Sequence, residues 1–249
     1  MGLLHMLSYS PLLRALLFGL ASGAWFTYFR LKQAKPKPFW LHLSALIGGF
    51  CGALGAVLLF GQLDAVGYAV DWSVLQEGWR RGLPMSLVIG LIEELAKLLP
   101  VLMLVWIRRR LDTPGDALFL ASCAGIGFAA AEATLLFQTG GSPTEGLARA
   151  AAAPLTHALF AAPWGLGLGR WLMRGRTSAL VSGFATSVLA HGLYNLLLAQ
   201  PQLPPAAAAS TVLALWVWLL LKLSPGMLRG RNAKQPVRNT GSFPAVIRP

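Results

Sequence analysis

Uninterrupted apolar runs of about 20 residues recur along this chain, and a helix of that length crosses the hydrocarbon core of a bilayer. Seven such segments can be drawn, at 12–29, 39–61, 84–106, 117–137, 150–172, 178–198 and 206–223. Only 12% of the 249 residues are charged and 55% are apolar, whereas an ordinary soluble domain carries about twice that charged fraction. The sequence therefore predicts an all-α, polytopic integral membrane protein with about seven transmembrane helices.

The positive charge is confined to alternate loops and the tail. One set of loops, with the carboxyl-terminal segment, carries sixteen lysines and arginines, against Arg80, Arg81 and Arg149 in the other set. By the positive-inside rule, the amino terminus is expected outside and the carboxyl terminus in the cytoplasm. The net charge of +12 is then explained by anionic lipid rather than nucleic acid. We expect a transmembrane helical domain at 1–228 and a basic, flexible cytoplasmic tail at 229–249.

Ionisable side chains interrupt four consecutive spans. They are Glu93, Glu94 and Lys97 in the third, Glu132 in the fourth, His157 in the fifth and His191 in the sixth. An ionised group at the bilayer centre costs roughly 3 kcal/mol on insertion scales, so these residues should face the bundle interior and find partners. Counted from the outer ends of the spans, the carboxylates of the glutamates and the imidazoles lie roughly 8 to 14 Å down. They are therefore expected to meet in one layer in the outer half of the membrane.

The third span places three of these groups on one helical face. Lys97 follows Glu93 by four residues and Glu94 by three, so it can reach either carboxylate. Two adjacent carboxylates in a low dielectric cannot both ionise cheaply, which separates them into a base and a proton donor. The alternative is a Glu–Lys pair that only fixes helix packing, and it is weakened by the carboxylate and imidazoles on the next three spans.

The two histidines stand in distinctive local sequences. His157 lies between Pro154 and Pro163, and such prolines can bend a span around a cavity. His191 and Asn195 lie one turn apart and could address the same oxygen atom. By contrast, His5 and His42 lie near a terminus and at a span entrance, which predicts interfacial positions.

Small residues at four-residue spacing predict close helix packing in lipid. They are Ser44, Gly48, Gly52 and Ala56 in the second span, with Gly19 and Gly23 in the first.

The ordered motifs resemble a known family. They are Glu93-Glu94-Leu95-Ala96-Lys97, Phe128-Ala129-Ala130-Ala131-Glu132, His157-Ala158-Leu159-Phe160 with a Gly-rich exit, and His191-Gly192-Leu193-Tyr194-Asn195. This set, over about residues 84–198, resembles the PrsW family of intramembrane proteases, which is related to CAAX-prenyl endopeptidases and bacteriocin-immunity membrane proteins. The resemblance implies a CAAX-protease-like helical core, a bacterial inner-membrane location, and cleavage of membrane-protein substrates on the extracytoplasmic side.

The same resemblance implies roles for the individual residues. Glu93 would be the general base, with Glu94 and Lys97 setting its orientation and protonation. His191 and Asn195 would stabilise the oxyanion, and Glu132 and His157 would hold the water or a metal. This sequence differs from the CAAX branch at two positions. Glu132 replaces a histidine of that branch, and Lys97 is present instead of an arginine that follows later in the motif. A metal-free mechanism is therefore not carried over from that branch.

The requirement for a metal stays open at this point. Two imidazoles and a carboxylate, here His157, His191 and Glu132, are a sufficient ligand set for catalytic zinc. These residue types favour zinc. The His-Glu-x-x-His spacing is absent, so the sequence does not by itself require the metal.

Other functions remain as alternatives. Buried Glu, Lys and His also build proton relays, so a proton-coupled transporter is one. A non-catalytic scaffold or immunity-type protein that keeps the polar cluster for assembly is another. Ser86, Ser122 and Cys123 lack an adjacent base, so a serine or cysteine nucleophile is not supported. The oligomeric state is not readable from the sequence.

Overall fold

A computed structural model of the chain describes residues 11–33, 37–108, 111–136 and 143–222. Within those ranges all regular secondary structure is helical, which confirms the all-α prediction. The long helices are α1 (Pro11–Lys32), α2 (Phe39–Ala65), α3 (Trp79–Arg108), α4 (Pro114–Leu136), α5 (Pro143–Arg174), α6 (Thr177–Ala199) and α7 (Pro205–Lys222). A short 3-10 helix, Trp72–Glu77, precedes α3. The predicted tail at 229–249 lies outside the described residues.

Each predicted span corresponds to one helix, and most of the helices are longer than their apolar run. The largest difference is in α5, which begins at Pro143 rather than near residue 150. The 30 residues of α3 correspond to about 45 Å, against a hydrocarbon core of about 30 Å. An apolar run marks only part of a helix, because backbone hydrogen bonding can continue the helix into flanking polar sequence.

Five helices are long and apolar enough to cross a membrane, namely α1, α2, α4, α6 and α7. The chain is thus an integral membrane protein by the length and composition of its helices. The remaining long helices are α3, which contains Glu93, Glu94 and Lys97, and α5, which contains His157 and two internal prolines. That these two also cross stays a prediction.

Helix α4 lies at the centre of the bundle. In its apolar window 78% of the residues are buried, compared with 22% in α2, α6 and α7. It packs on one side against α2 and on the other against α5, and α6 then bridges α5 and α3. Helix α1 rests on α5 and α7 on α6. This order groups α3, α5 and α6 with the central α4, and these are the four helices that carry the ionisable residues.

Close helix approaches depend on glycine. A Cβ added to Gly90 of α3 would lie 3.0 Å from the carbonyl oxygen of Val188 and 3.1 Å from the nitrogen of Gly192, both on α6. On α2, a Cβ at Gly48 would meet Pro100 at 2.8 Å, and one at Gly52 would clash with the backbone of Ala96. Packing of α2 on α3 through its small residues is therefore confirmed.

The same prediction is wrong for the first helix. Gly19 and Gly23 of α1 have no atom within 4 Å of an added Cβ, so they do not mediate a close approach.

His42 is fully buried among the helices. Its interfacial depth in the bilayer stays a prediction, and His5 lies outside the described residues. The His42 ring packs against Phe119 with centroids 4.3 Å apart, and Arg30 approaches its Nδ1 at 3.2 Å. The added polar partner explains how an imidazole is accommodated inside the bundle.

Ion pairing joins two loops at one end of the molecule. Lys37, between α1 and α2, pairs with Asp112 and with Asp116, the latter at 3.3 Å. Asp116 also accepts hydrogen bonds from the backbone nitrogens of Asp112 and Thr113, which caps the beginning of α4. The α1–α2 and α3–α4 loops thus lie at the same end of the bundle. At the opposite end, Gln200 donates to the carbonyl of Leu75 in the 3-10 helix at 2.5 Å.

Candidate catalytic and metal site

A fully buried carboxylate, Glu94, joins three helices. Its Oε1 accepts from Lys97 Nζ at 2.6 Å and contacts His191 Nδ1 at 2.8 Å, and its Oε2 accepts from Trp164 Nε1 at 2.9 Å. Glu94, Lys97 and Trp164 have no solvent exposure, so their polar groups depend on partners within the bundle. Lys97 Nζ also lies 3.5 Å from His191 Nδ1. A buried charge is tolerated only when it is paired and hydrogen-bonded, and Glu94 meets both conditions.

The contact with Glu94 sets the orientation of His191. We assign the ring hydrogen of His191 to Nδ1, because an ionised Glu94 can only accept and this contact is shorter than the one from Nε2 to Glu93. The other ring nitrogen, Nε2, then faces Glu93 Oε2 at 3.3 Å. In metal sites, a histidine usually donates one ring N–H to a carboxylate while its second nitrogen binds the ion. His191 has this arrangement, with Glu94 as the carboxylate.

The second histidine has a carboxylate partner of its own. His157 Nε2 lies 2.8 Å from Glu132 Oε2. Its other nitrogen, Nδ1, is buried and has no hydrogen-bond partner among the described residues. Buried polar atoms are nearly always paired. Glu132 Oε2 likewise makes no well-directed hydrogen bond among the described residues, although it lies 2.8 Å from Nε2. Glu132 is about one-third exposed and its Oε1 lies 3.9 Å from Arg149, which marks an opening of the site.

Glu93, His157 and His191 can converge on a single ion. One ligand atom from each lies within 4.8 Å of the others, and all three residues are buried. Imidazole nitrogen and carboxylate oxygen are the ligands that catalytic zinc takes, so the chemistry of these three donors fits that ion. Compared with the predicted ligand set, Glu93 joins the two histidines, whereas Glu132 contacts His157. That Glu132 itself binds metal stays a prediction.

Aromatic rings hold the two imidazoles in place. Phe160 stacks on His191 with centroids 4.5 Å apart, and Phe128 stacks on His157 at 5.4 Å. Lys97 Nζ lies 4.5 Å from the centre of the Phe128 ring, within the range of a cation–π contact. Both phenylalanines stood inside the motifs, but the sequence did not show that they pack on the histidines of other helices.

Trp164 was missed by sequence reasoning. It follows His157 by seven residues, which places both on one face of α5, and that spacing was the available signal. An indole N–H is a donor that needs a partner when buried, yet nothing in the sequence names Glu94 as that partner. The contact depends on the packing of α5 beside α3.

The remaining predicted residues have these surroundings. Asn195 Nδ2 is buried without a hydrogen-bond partner among the described residues. The hydroxyl of Ser86 donates to the carbonyl of Leu83, and that of Ser122 to the carbonyl of Ala158. Both serine hydroxyls therefore donate to backbone carbonyls. The catalytic roles assigned to all these residues stay predictions.

Comparison with known proteins agrees with this geometry. The model of the family described as PrsW family intramembrane metalloprotease matches residues 37–222, which include every residue of the site. No curated protein and no solved structure matches the chain. The match covers well over half of the sequence, from the beginning of α2 to the end of α7. The chain belongs to the PrsW family of intramembrane proteases.

Proposed function

We propose that this protein is an endopeptidase that hydrolyses peptide bonds of membrane proteins inside the bilayer, with Glu93 as the essential carboxylate. The observation that carries the proposal is the convergence of Glu93, His157 and His191 within 4.8 Å. A single water molecule can hydrogen-bond to two groups separated by that distance. The same site then offers a proton acceptor and oriented imidazoles to one reacting water.

The residues present fit a divalent cation such as Zn²⁺. Glu93, His157 and His191 would hold the ion, with Glu94 and Glu132 orienting the two imidazoles. Bound zinc acidifies a coordinated water and polarises a carbonyl group. The family description as a metalloprotease points the same way.

The chain's own groups account for the proton transfers. When no ion is bound, Glu93 accepts a proton from the attacking water as the water oxygen bonds to the carbonyl carbon, and it returns that proton to the amine nitrogen as the C–N bond breaks. With an ion bound, Glu93 would be one of its ligands, and the metal would supply the activation of the water. Asn195 has a buried donor without a partner, which suits it to the oxyanion that forms. Lys97 stays bound to Glu94 and keeps the charge of that buried carboxylate balanced.

We further propose seven membrane crossings, with the amino terminus outside and the tail among anionic lipid on the cytoplasmic face of a bacterial inner membrane. The charge bias of the loops and the shared end of the α1–α2 and α3–α4 loops support this orientation. The site, between the middle and outer ends of its helices, then lies nearer the extracytoplasmic face. Substrates are accordingly membrane proteins or membrane-bound peptides cut near that face.

The test is cleavage of a membrane-peptide library by purified protein in liposomes. Glu93→Gln should be folded and inactive, because it keeps the side-chain size but loses the basic carboxylate. Glu77→Gln is the matched control, since Glu77 lies in an exposed ion pair with Arg81, and it should cut like the wild type. Equal product from wild type and Glu93→Gln would contradict the proposal. pH-driven uptake without product would indicate a transporter, and loss of partner association alone a scaffold.

A further inference from the structure

Trp164 fixes one end of the Glu94 carboxylate. Its indole N–H is the donor to Oε2 at 2.9 Å, whereas Lys97 and His191 both contact Oε1. We propose that Trp164 is a positioning residue: by holding Glu94 across α3 and α5, it keeps His191 Nε2 directed at Glu93. This inference rests on the proposed function, because the direction of His191 matters only if its Nε2 meets a metal or the reacting water.

The other partners of Glu94 cannot fix its orientation by themselves. Lys97 stands three residues along the same helix and ends a flexible side chain whose ammonium can follow either carboxylate oxygen. The terminal torsion of glutamate is broad, so a carboxylate held at one oxygen rotates. A rigid indole on a second helix removes that freedom.

The position of Trp164 is itself fixed by packing. Trp164 is completely buried, and α6 passes over it at Gly183. A Cβ added to Gly183 would lie 3.2 Å from the Cα of Trp164 and 2.9 Å from the carbonyl carbon of Pro163. The close approach of α6 therefore leaves the backbone at Trp164 little room to shift. His191 follows Gly183 by about two turns of the same helix. Helix α6 therefore both confines Trp164 and carries the histidine that Glu94 orients.

Trp164→Phe removes the N–H while keeping an aromatic ring. Glu94 is then free to rotate, and His191 loses its fixed direction without losing its partner. Loss of such outer partners of metal ligands typically lowers metal affinity or activity by about 10- to 100-fold. Because Trp164 does not touch the substrate in this proposal, kcat should fall by about that factor while KM changes by less than about twofold.

The experiment measures Zn²⁺ affinity by chelator competition, together with kcat and KM, on the full-length chain in detergent. Trp171→Phe is the matched control, as it makes the same change two turns further along α5, where no hydrogen bond of the indole is found among the described residues. A second variant replaces Trp164 with benzothienylalanine, which keeps the shape of indole and lacks the N–H. This variant separates loss of the hydrogen bond from loss of packing.

The expected result is weaker Zn²⁺ binding and lower kcat in both Trp164 variants, with the control at wild-type values. Zn²⁺ affinity and kcat equal to wild type in the benzothienylalanine variant would overturn the inference and leave the proposed function standing. A lower thermal stability of this variant, with Zn²⁺ affinity and kcat unchanged, would also overturn the inference and leave the proposed function standing. If the wild type neither binds Zn²⁺ nor cleaves peptide, the proposed function fails and the inference fails with it.

Discussion

Glu94 Oε1 and His191 Nδ1 lie 2.8 Å apart in a region without solvent, and this contact determines which imidazole nitrogen faces Glu93. The two glutamates are adjacent in sequence, yet their surroundings differ. Glu94 is saturated by Lys97, Trp164 and His191, whereas Glu93 faces the two histidines that can share an ion with it. A doublet of identical residues is thereby divided into a carboxylate that orients His191 and a carboxylate that faces both histidines.

Glu94→Gln should be strongly destabilising. It leaves Lys97 buried without its counter-charge, and removing one partner of a buried pair costs about 3–5 kcal/mol. The double variant Glu94→Gln/Lys97→Met removes both charges and should recover much of that stability, but without cleavage, since the amide no longer holds His191 as a carboxylate does. Thermal unfolding in detergent measures the first effect and peptide cleavage the second. A double variant no more stable than the single one would show that the ion pair is not the source of the loss.

Glu132→Gln should reduce activity without abolishing it. His157 keeps its place in the fold but loses a charged partner, which typically costs about 10- to 100-fold in metal affinity or rate. Arg149→Gln is the comparison, because its contact with Glu132 is long and more than half exposed, and it should change the rate by less than about threefold. Cleavage kinetics with Zn²⁺ titration distinguish the two. An inactive Arg149 variant would instead assign that residue a direct part in the reaction.

Gly90→Ala should impair the site through the backbone. The new methyl group would lie 3.0 Å from the carbonyl oxygen of Val188, a tight contact that α3 and α6 relieve by moving apart by a few tenths of an ångström, which shifts Glu93 relative to His191. Because a misplacement of about 1 Å can cost about 100-fold in rate, we expect this smaller shift to cost about 3- to 10-fold. Gly55→Ala makes the same change where no atom lies within 4 Å and should be silent. Cleavage rates and Zn²⁺ affinity of both variants, alongside their unfolding temperatures, provide the check.

Chelation should abolish cleavage, and added Zn²⁺ should restore it. The purified His157→Ala and His191→Ala variants should each contain less than one metal ion per chain, because each substitution removes one of the three convergent ligands. The His42→Ala variant should contain as much metal as the wild type, since this buried histidine contacts Arg30 and Phe119 in another part of the fold. Metal content after dialysis gives the answer directly. Cleavage that is insensitive to chelators would argue for water activated by the carboxylate alone.

The positions of the helices could be predicted because each apolar run is a property of one continuous stretch of sequence. Each apolar run became a helix, since backbone groups in lipid must be satisfied within the segment. The ends were less accurate, as at α5, because the helix continues past the apolar run into a polar region. The first-helix glycines Gly19 and Gly23 failed for a different reason: small residues permit a close approach, but only a neighbouring helix can use it.

By itself, the sequence predicted which ionisable groups face the bundle interior, because hydrocarbon tolerates them only when they have partners. That group was Glu93, Glu94, Lys97, Glu132, His157 and His191, and all of them are buried except Glu132, which is about one-third exposed. Tertiary structure alone decided how those partners are shared. In the folded protein, Glu94 contacts Trp164 and His191, and Glu132 contacts His157. Glu93 lies close to both imidazoles. Helical periodicity fixes the face and depth of each side chain, whereas rotation and spacing between helices depend on contacts such as Gly90 with Gly192, which join residues far apart in the chain.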